Sequence, residues 1–151
     1  MKSVCVTCVG KLKERYFADA VAEYAKRLNK YCKLTVNEVD DVAHADEVRR
    51  ESDFIQKTFR AGEYRILADV GGELVSSEEL SEILEKAFGS GKSSVRFIIG
   101  GSCGVDDRIR KSADRRVSFG RVTYPHQLMR VILLEQIYRA FTISAGTPYH
   151  K

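Results

Sequence analysis

The amino-acid sequence predicts an α/β fold in which a mostly parallel sheet carries helices on both faces. Two observations lead to this prediction. Short apolar segments alternate strictly with segments of helical periodicity, and the connections between them are short. No linker, repeat or low-complexity stretch interrupts the alternation. We therefore expect residues 1–151 to form a single domain.

The first half of the chain contains two predicted strand–helix pairs. Residues 4–9 form an apolar run typical of a buried strand, and residues 17–31 place apolar side chains at helical steps of three and four. Residues 34–39 alternate apolar and polar side chains, which indicates a second strand. Residues 46–59 return to helical spacing, and Gly62 is a stop signal shortly after them.

The second half of the chain continues the alternation. Residues 64–70 predict a third strand before the turn pair Gly71 and Gly72, and Ser76 is suited to cap a helix that continues to Phe88. The remaining predicted elements are a strand at 95–99, a short helix at 106–112, a brief strand at 116–119 and a long helix at 125–144.

Composition places the chain among ordinary soluble proteins. Hydrophobic residues make up 44% of it and charged residues 30%, which excludes intrinsic disorder. No apolar run approaches the roughly 18 residues that span a bilayer, and residues 1–6 lack the apolar core of a signal peptide. We expect a cytoplasmic protein.

The four cysteines agree with a reducing compartment. Cys5 and Cys8 form a C-x-x-C spacing, which suits a redox pair or half of a zinc site. They lie inside a β-branched strand, however, and no second C-x-x-C follows. We interpret them, together with Cys32 and Cys103, as reduced and mostly buried thiols, and we expect no metal site.

The net charge of +4 is concentrated in one segment. Seven basic residues stand between positions 108 and 130 against Asp114 alone. This local excess suits a phosphate backbone, and a solvated charged face without a polyanion explains it equally well.

Glycines follow two of the predicted strands, and ligands of open α/β sheets bind beyond the carboxyl ends of strands. Gly100, Gly101 and Gly104 form the larger of the two clusters. Glycine allows a ligand to approach the backbone closely. As a nucleotide motif this cluster is no more specific than an ordinary tight turn, and no Walker lysine accompanies it, which disfavours phosphoryl transfer.

The final predicted helix is apolar on nearly all sides, so it must be buried on both. In so small a chain, one side of the helix can pack on the rest of the chain, and the other side is covered more easily by another subunit. The sequence therefore predicts a two-fold homodimer with this helix in the interface. Glu135 and Arg139 are spaced i, i+4, so Arg139 either pairs with Glu135 or holds substrate.

Among the three histidines, His150 is the candidate for chemistry. It follows Pro148 and Tyr149 in a tail that would otherwise fray. His44 lies in a charged loop and is interpreted as inert. His126 lies in the first turn of the last helix, as either a structural hydrogen-bonding group or a catalyst.

Four segments of the C-terminal third resemble a known family. They read FIIGGSCG at 97–104, TYPHQLMRV at 123–131, EQIYRA at 135–140 and PYHK at 148–151. Together with chain length and element order, they are similar to the bacterial large-subunit rRNA methyltransferase H family of the SPOUT class. The resemblance implies methylation of N3 of a pseudouridine in helix 69 of 23S rRNA, with the 70S ribosome as the substrate particle.

The resemblance also implies a C-terminal trefoil knot and S-adenosylmethionine as the methyl donor, held by three loops. The family often has serine where this chain has Gly120, which such loops tolerate because they bind mainly through backbone groups. Carried over by position, the loops bring Leu67, Ala68 and Asp69 after the third strand, Gly100, Gly101 and Gly104 after the fourth, and Phe119, Gly120, Arg121, Val122, Thr123 and Tyr124 before the last helix.

Methylation of N3 requires loss of an imide proton, so a base or a nearby cation should help. We predict that His150 or Tyr149 assists deprotonation and that Arg139 stabilises the negative charge on the uracil ring. We expect the tail to reach across the dimer, so that each active site combines both subunits. Two alternatives remain: a SPOUT enzyme acting on tRNA or another RNA position, and a non-enzymatic RNA-binding dimer.

Overall fold

The computed structural model describes residues 1–43 and 45–151, within which strands and helices alternate. His44, interpreted above as inert, lies outside the described residues. In chain order the elements are β1 (Lys2–Val9), α1 (Arg15–Leu28), β2 (Cys32–Val39), α2 (Glu47–Lys57), β3 (Glu63–Leu74), α3 (Ser77–Gly89), β4 (Ser94–Ile99), α4 (Asp107–Ser112), β5 (Arg115–Ser118) and α5 (His126–Ala145).

The strands form one five-stranded parallel sheet in the order β2-β1-β4-β3-β5. Phe97 of the central strand β4 lies opposite Val6 of β1 on one side and Ile66 of β3 on the other. The predicted parallel sheet is confirmed. Its carboxyl edge brings together the irregular segment of β3 after Ala68 and the segments that follow β4 and β5.

Helices cover both faces of the sheet, because apolar side chains of the central strands point alternately to each face. Val6 and Phe97 pack into a large core with side chains of α1, α3 and α5. Val9 and Ile98 point the other way and pack with side chains of α2 and α4. The predicted cover on both faces is also confirmed.

The end of β3 differs from its prediction. The strand was expected to stop at Val70 before a Gly71–Gly72 turn, but it continues to Leu74 with an irregularity between Ala68 and Glu73. Pairing resumes because β5 runs alongside, so Glu73 and Leu74 find partners there. Smaller shifts occur elsewhere: α1 ends at Leu28 rather than at residue 31, where the chain makes a turn.

Helix α3 begins at the predicted capping box. The Ser76 hydroxyl accepts a hydrogen bond from the Glu79 amide at 3.0 Å, and the Glu79 carboxylate accepts one from the Ser76 amide at 3.0 Å. These reciprocal bonds satisfy two backbone donors that the helix start leaves unpaired.

Helix α5 is covered more fully by its own chain than the sequence argument assumed. It packs between α1 and α3, where the Tyr31 and Phe141 rings stack at 5.8 Å and the Ser81 hydroxyl donates to the Ala140 carbonyl at 3.0 Å. Nine of its side chains are buried within the chain. Only half-buried apolar residues such as Leu128, Val131 and Ile132 are left for a partner. The homodimer stays a prediction.

A buried ionic network crosses the α2–α4 face of the sheet. Arg96 of β4 is 1% exposed, and its guanidinium donates to the Glu63 carboxylate at 2.7 Å, to the Thr7 hydroxyl at 2.8 Å and to the Asn37 amide oxygen at 3.0 Å. This cation is therefore fully paired although it lies within an otherwise apolar strand.

Candidate active site

The irregular segment of β3 at residues 68–70 and the loops that follow β4 and β5 enclose a cavity of about 660 Å³, which we call the glycine-loop cavity. Its volume lies within the range of small-molecule sites. Among the residues predicted to hold a cofactor, ten line it: Ala68, Asp69, Gly100, Gly101, Gly104, Phe119, Gly120, Val122, Thr123 and Tyr124.

Two of the predicted cofactor residues do not line the cavity. Leu67 is 1% exposed and points to the opposite face of the sheet, where it packs with Ile55 and Ile109. Its position within β3, one residue before the edge, determines this orientation because side chains alternate along a strand. Arg121 is exposed and lies outside the lining.

Backbone atoms form the wall of the cavity at the glycine loop. A methyl group added at Gly100 would lie 2.9 Å from the Val105 side chain, and one added at Gly101 would lie 2.5 Å from the Glu51 carboxylate. Gly104 has a φ of +81° and donates to the Gly101 carbonyl at 3.0 Å. Side chains larger than glycine would therefore collide at positions 100 and 101, and the bare backbone at these positions allows a ligand to approach closely.

Gly120 and Asp69 complete the other two walls. Gly120 has a φ of +127°, and its carbonyl accepts a hydrogen bond from the Ser118 hydroxyl at 2.7 Å. Asp69 accepts hydrogen bonds from Arg116 Nε and from the Gly71 amide, both at 3.0 Å. The Asp69 carboxylate is thus held by protein groups, and it shapes the loop that follows Ala68.

The sequence reasoning missed several lining residues. His126 and Met129 of α5 contribute to the cavity, as do Ile99 and Ser102 beside the glycines. Proximity to the predicted loops was the available signal, because a helix that begins directly after a lining segment contributes its first turn. His126, for which structural and catalytic roles were both open, therefore lies at the cavity.

A second and larger cavity, of about 760 Å³, lies beside the first at the ends of β1 and β2. Gln127 lines it, one residue after His126. Its rim mixes cations, including Lys11 and Arg50, with the carboxylates of Asp40 and Asp41. None of the predicted site residues lines it, so we place the candidate chemistry at the glycine-loop cavity despite its smaller volume.

The predicted catalytic residues meet in what we call the tail cluster, formed by Glu78, Glu135, Arg139, Tyr149 and His150. The Glu135 carboxylate accepts hydrogen bonds from Arg139 Nε at 2.8 Å and from the Tyr149 hydroxyl at 3.0 Å. The guanidinium carbon of Arg139 lies 4.8 Å from the centre of the Tyr149 ring. The i, i+4 pair suggested by the sequence is therefore formed.

Hydrogen bonding defines the state of His150 in this cluster. Arg139 Nη1 lies 3.1 Å from His150 Nδ1, and the Glu78 carboxylate contacts His150 Nε2. Since a guanidinium only donates, Nδ1 accepts and the proton resides on Nε2, which donates to Glu78. In this arrangement Arg139 occupies the lone pair of His150 Nδ1.

Tyr149 is less suited to accept a proton. Burial, and next the hydrogen bond to Glu135, raise the pKa of its hydroxyl above 10.0. The phenol therefore stays protonated near neutral pH and acts as a donor. Of the two tail residues predicted to assist deprotonation, His150 is the better proton acceptor because its imidazole carries a basic nitrogen.

The tail cluster and the glycine-loop cavity are separated within one chain. Arg139 lies ten residues beyond Met129 on α5, which corresponds to about 15 Å along the helix axis. Neither Arg139, Tyr149 nor His150 lines the cavity. A single chain thus carries both sets of predicted residues without bringing them together.

The basic segment 108–130 has little unpaired charge. Arg130 is 1% exposed and binds Glu38 at 2.6 Å, so it belongs to the interior rather than to a basic surface. Four further arginines pair with carboxylates: Arg108 with Asp53 and Asp106, Arg110 with Asp107, Arg115 with Glu73, and Arg116 with Asp69. Among the described residues, Lys111 and Arg121 are therefore the unpaired lysine and arginine side chains of the segment.

The cysteines are free thiols, as predicted, but they are not uniformly buried. Cys8 and Cys32 are buried, and burial raises the pKa of each thiol to about 11. Cys103 is exposed and donates a hydrogen bond to the Glu47 carboxylate. Within residues 1–43 and 45–151, no helix combines the length and the apolar composition that a membrane span requires.

The glycine-loop cavity lies at the carboxyl edge of a parallel α/β sheet, which is where proteins of this class bind their ligands. The comparison with protein families makes this class specific: a family model described as "Predicted SPOUT methyltransferase" matches residues 1–150.

Curated relatives are similar over the full length. Proteins named "Ribosomal RNA large subunit methyltransferase H" are 46% identical in Desulfitobacterium hafniense, covering 100% of both chains, and 44% identical in Lactobacillus acidophilus, covering 99% of both. The protein of that name from Clostridium novyi is 43% identical, with 99% of each chain covered. The chain therefore belongs to the SPOUT methyltransferases, within the large-subunit methyltransferase H family.

Proposed function

We propose that residues 1–151 act as one S-adenosylmethionine-dependent rRNA methyltransferase domain. The specific reaction is methylation of N3 of a pseudouridine in helix 69 of 23S rRNA. A chain of this size has little surface of its own for recognising RNA. We therefore propose that its substrate is the assembled 70S ribosome in the cytoplasm. The observation that carries the proposal is the glycine-loop cavity. Ten of the residues expected to hold the cofactor line this cavity.

The cavity fits the cofactor we propose. No side chain projects from Gly100 or Gly101, so a ligand in the cavity could approach the backbone closely and meet amide and carbonyl groups that can read an adenine edge and a ribose. When bound, the cofactor would supply an electrophilic methyl group, so the protein's own tasks are positioning and removal of a proton.

His150 is the general base in this proposal. Its Nδ1 has a free electron pair once Arg139 is withdrawn, and Glu78 at Nε2 favours the tautomer in which Nδ1 can accept the N3 proton. Arg139, released from His150, would turn its guanidinium to the carbonyl oxygens of the uracil ring and stabilise the charge that develops there. Tyr149 keeps Glu135 and Arg139 aligned as a hydrogen-bond donor.

Separation of the two sets of residues supports a homodimer with shared active sites. About 15 Å of helix lies between the cavity and Arg139, so a tail from a second copy is the simplest way to complete the site. Exposed apolar side chains at the cavity rim, namely Val70 and Val122, and half-buried ones on α5 would be covered by that partner.

The test of the catalytic assignment is His150→Ala with Lys151→Ala as the neighbouring control. His150→Ala should lower the single-turnover rate on 70S ribosomes by about 100-fold, the lower range for loss of a general base, while calorimetry shows unchanged affinity for S-adenosylmethionine. Lys151→Ala should leave both quantities unchanged. Undiminished methylation by the His150 variant would remove this residue from the mechanism.

Mixed dimers test whether active sites are shared. One chain would lack residues 147–151 and the other would carry Gly100→Val, whose side chain would collide with Val105 and the Gly104 backbone and so distort the glycine loop. Random pairing makes half of the dimers mixed, and each mixed dimer has one complete shared site, so about one quarter of wild-type activity should return. No recovery would place both halves of the site in the same chain.

Two measurements separate the proposal from its alternatives. A non-enzymatic RNA-binding dimer should release no heat on titration with S-adenosylmethionine. A SPOUT enzyme with another target should leave 23S rRNA fully methylated in cells that lack this protein. Mass spectrometry of helix 69 fragments from such cells should instead show loss of one methyl group from the pseudouridine.

A further inference from the structure

Three carboxylates meet between the end of β2 and the first turns of α2. Asp41, Glu47 and Glu51 each offer an oxygen within 4.8 Å of the others. Across residues 1–43 and 45–151, no arginine, lysine or histidine forms an ion pair with any of them. The three carboxylates therefore concentrate negative charge without a paired cation among the described residues.

Glu51 is the decisive member because it is 1% exposed. Its Oε2 accepts a hydrogen bond from the Val42 amide at 2.9 Å, whereas Oε1 is buried without a hydrogen-bond partner. A buried carboxylate oxygen without a donor costs several kcal/mol, and such groups call for an explanation such as an ion. Burial is the main cause that raises the pKa of Glu51, and the adjacent Asp41 carboxyl raises it further.

The geometry suits a hard cation. Mg²⁺ binds oxygen at about 2.0–2.1 Å and Ca²⁺ at 2.3–2.6 Å, so oxygens around either ion lie roughly 3 to 5 Å apart. The three carboxylates meet that spacing. Cys103 contacts Glu47 through a hydrogen bond from its thiol, so it supports the set as a donor rather than as a soft ligand.

We propose that Asp41, Glu47 and Glu51 form a binding site for a hard divalent cation of the Mg²⁺ or Mn²⁺ type, with water completing the coordination. The expectation of no metal site came from cysteine and histidine spacing, which this site does not use. The inference does not depend on the proposed reaction.

The position of the site gives the cation a structural role. Asp41 follows β2, Glu47 and Glu51 belong to α2, and Glu51 Oε1 abuts Gly101 of the glycine loop. An ion bound here would join these three segments and neutralise the buried charge behind the wall of the glycine-loop cavity.

The test uses Mn²⁺ alone as the probe of the full-length protein after chelator treatment. Electron paramagnetic resonance of free Mn²⁺ should show one saturable site per chain, and Mg²⁺ should compete for it. Asp41→Asn and Glu51→Gln should each weaken binding at least tenfold. Asp40→Asn is the matched control, because Asp40 is the adjacent exposed carboxylate and lies outside the cluster.

Thermal unfolding gives a second readout. Mn²⁺ should raise the unfolding temperature of the wild type and of Asp40→Asn, but not of Asp41→Asn, at matched ionic strength. Asp41 is exposed, so its variant should fold even if Glu51→Gln does not. Absence of saturable binding by the wild type would overturn the proposal. Equal weakening by Asp40→Asn and Asp41→Asn would overturn it as well, because it would indicate diffuse attraction.

Discussion

Glu63 and Arg96 form an ion pair in the middle of the sheet, where both side chains are 1% exposed. Glu63 also accepts hydrogen bonds from Arg65 Nε at 3.1 Å and from the Arg60 amide at 2.9 Å. Glu63→Gln keeps the size of the side chain but leaves the Arg96 cation buried without its carboxylate. Removing one partner of a buried pair costs about 3–5 kcal/mol, a large part of the 5–15 kcal/mol that stabilises a typical domain.

Urea unfolding followed by circular dichroism measures this cost, at one fixed protein concentration because association would add to stability. The control is Glu73→Gln, whose side chain is 53% exposed and 3.8 Å from Arg115, and which should change stability by less than about 1 kcal/mol. Adding Arg96→Met to Glu63→Gln should restore part of the loss, because the uncompensated charge is then gone. A free energy of unfolding for Glu63→Gln within about 1 kcal/mol of the wild-type value would contradict this prediction. A double variant whose loss of stability equals the sum of the two single losses would contradict it as well.

Three further predictions concern the helix cap and the thiols. Ser76→Ala removes the acceptor of the Glu79 amide and should lower stability by about 1 kcal/mol in the same urea assay, whereas no change would show that the α3 cap is dispensable. Iodoacetamide at pH 8 should modify Cys103 before Cys8 and Cys32, since only Cys103 is exposed and burial raises the pKa of the other two. The hydrogen bond to the Glu47 carboxylate raises the pKa of Cys103, so Glu47→Gln should accelerate its alkylation in peptide mass spectrometry; a slower reaction would contradict this.

Local sequence pattern predicted most of the fold because each strand carries its own signal. The apolar runs of β1 and β4 and the helical spacing of α5 required no knowledge of their neighbours. The irregular end of β3 could not be predicted in this way, since pairing of Glu73 and Leu74 depends on β5, more than forty residues later in the chain. Knotting of the C-terminal segment likewise stays a prediction, because no local pattern encodes how one segment passes another.

Prediction of the site followed the same division. The tail residues were recognised from composition, but Glu78, which contacts His150, is 72 residues away and gave no signal. Leu67 and Ala68 show that an error of one position is enough to misplace a site residue. Although they are neighbours in one strand, Leu67 faces the core and Ala68 faces the cavity. The carboxylates near Glu51 were missed because acidic residues in a charged loop are common and only burial distinguishes them.

The irregularity of β3 has a consequence for how the site can change. Val117 of β5 pairs with Ala68 before the irregularity and with Glu73 after it, so residues 69–72 form an excursion that begins and ends at the same partner residue. Their number can therefore vary without moving either strand, provided that the residue at position 72 stays as small as glycine, where an added methyl group would lie 2.7 Å from the Arg116 backbone. Replacement loops inserted between Ala68 and Glu73 would therefore remodel the wall of the cavity to which Asp69 and Val70 contribute.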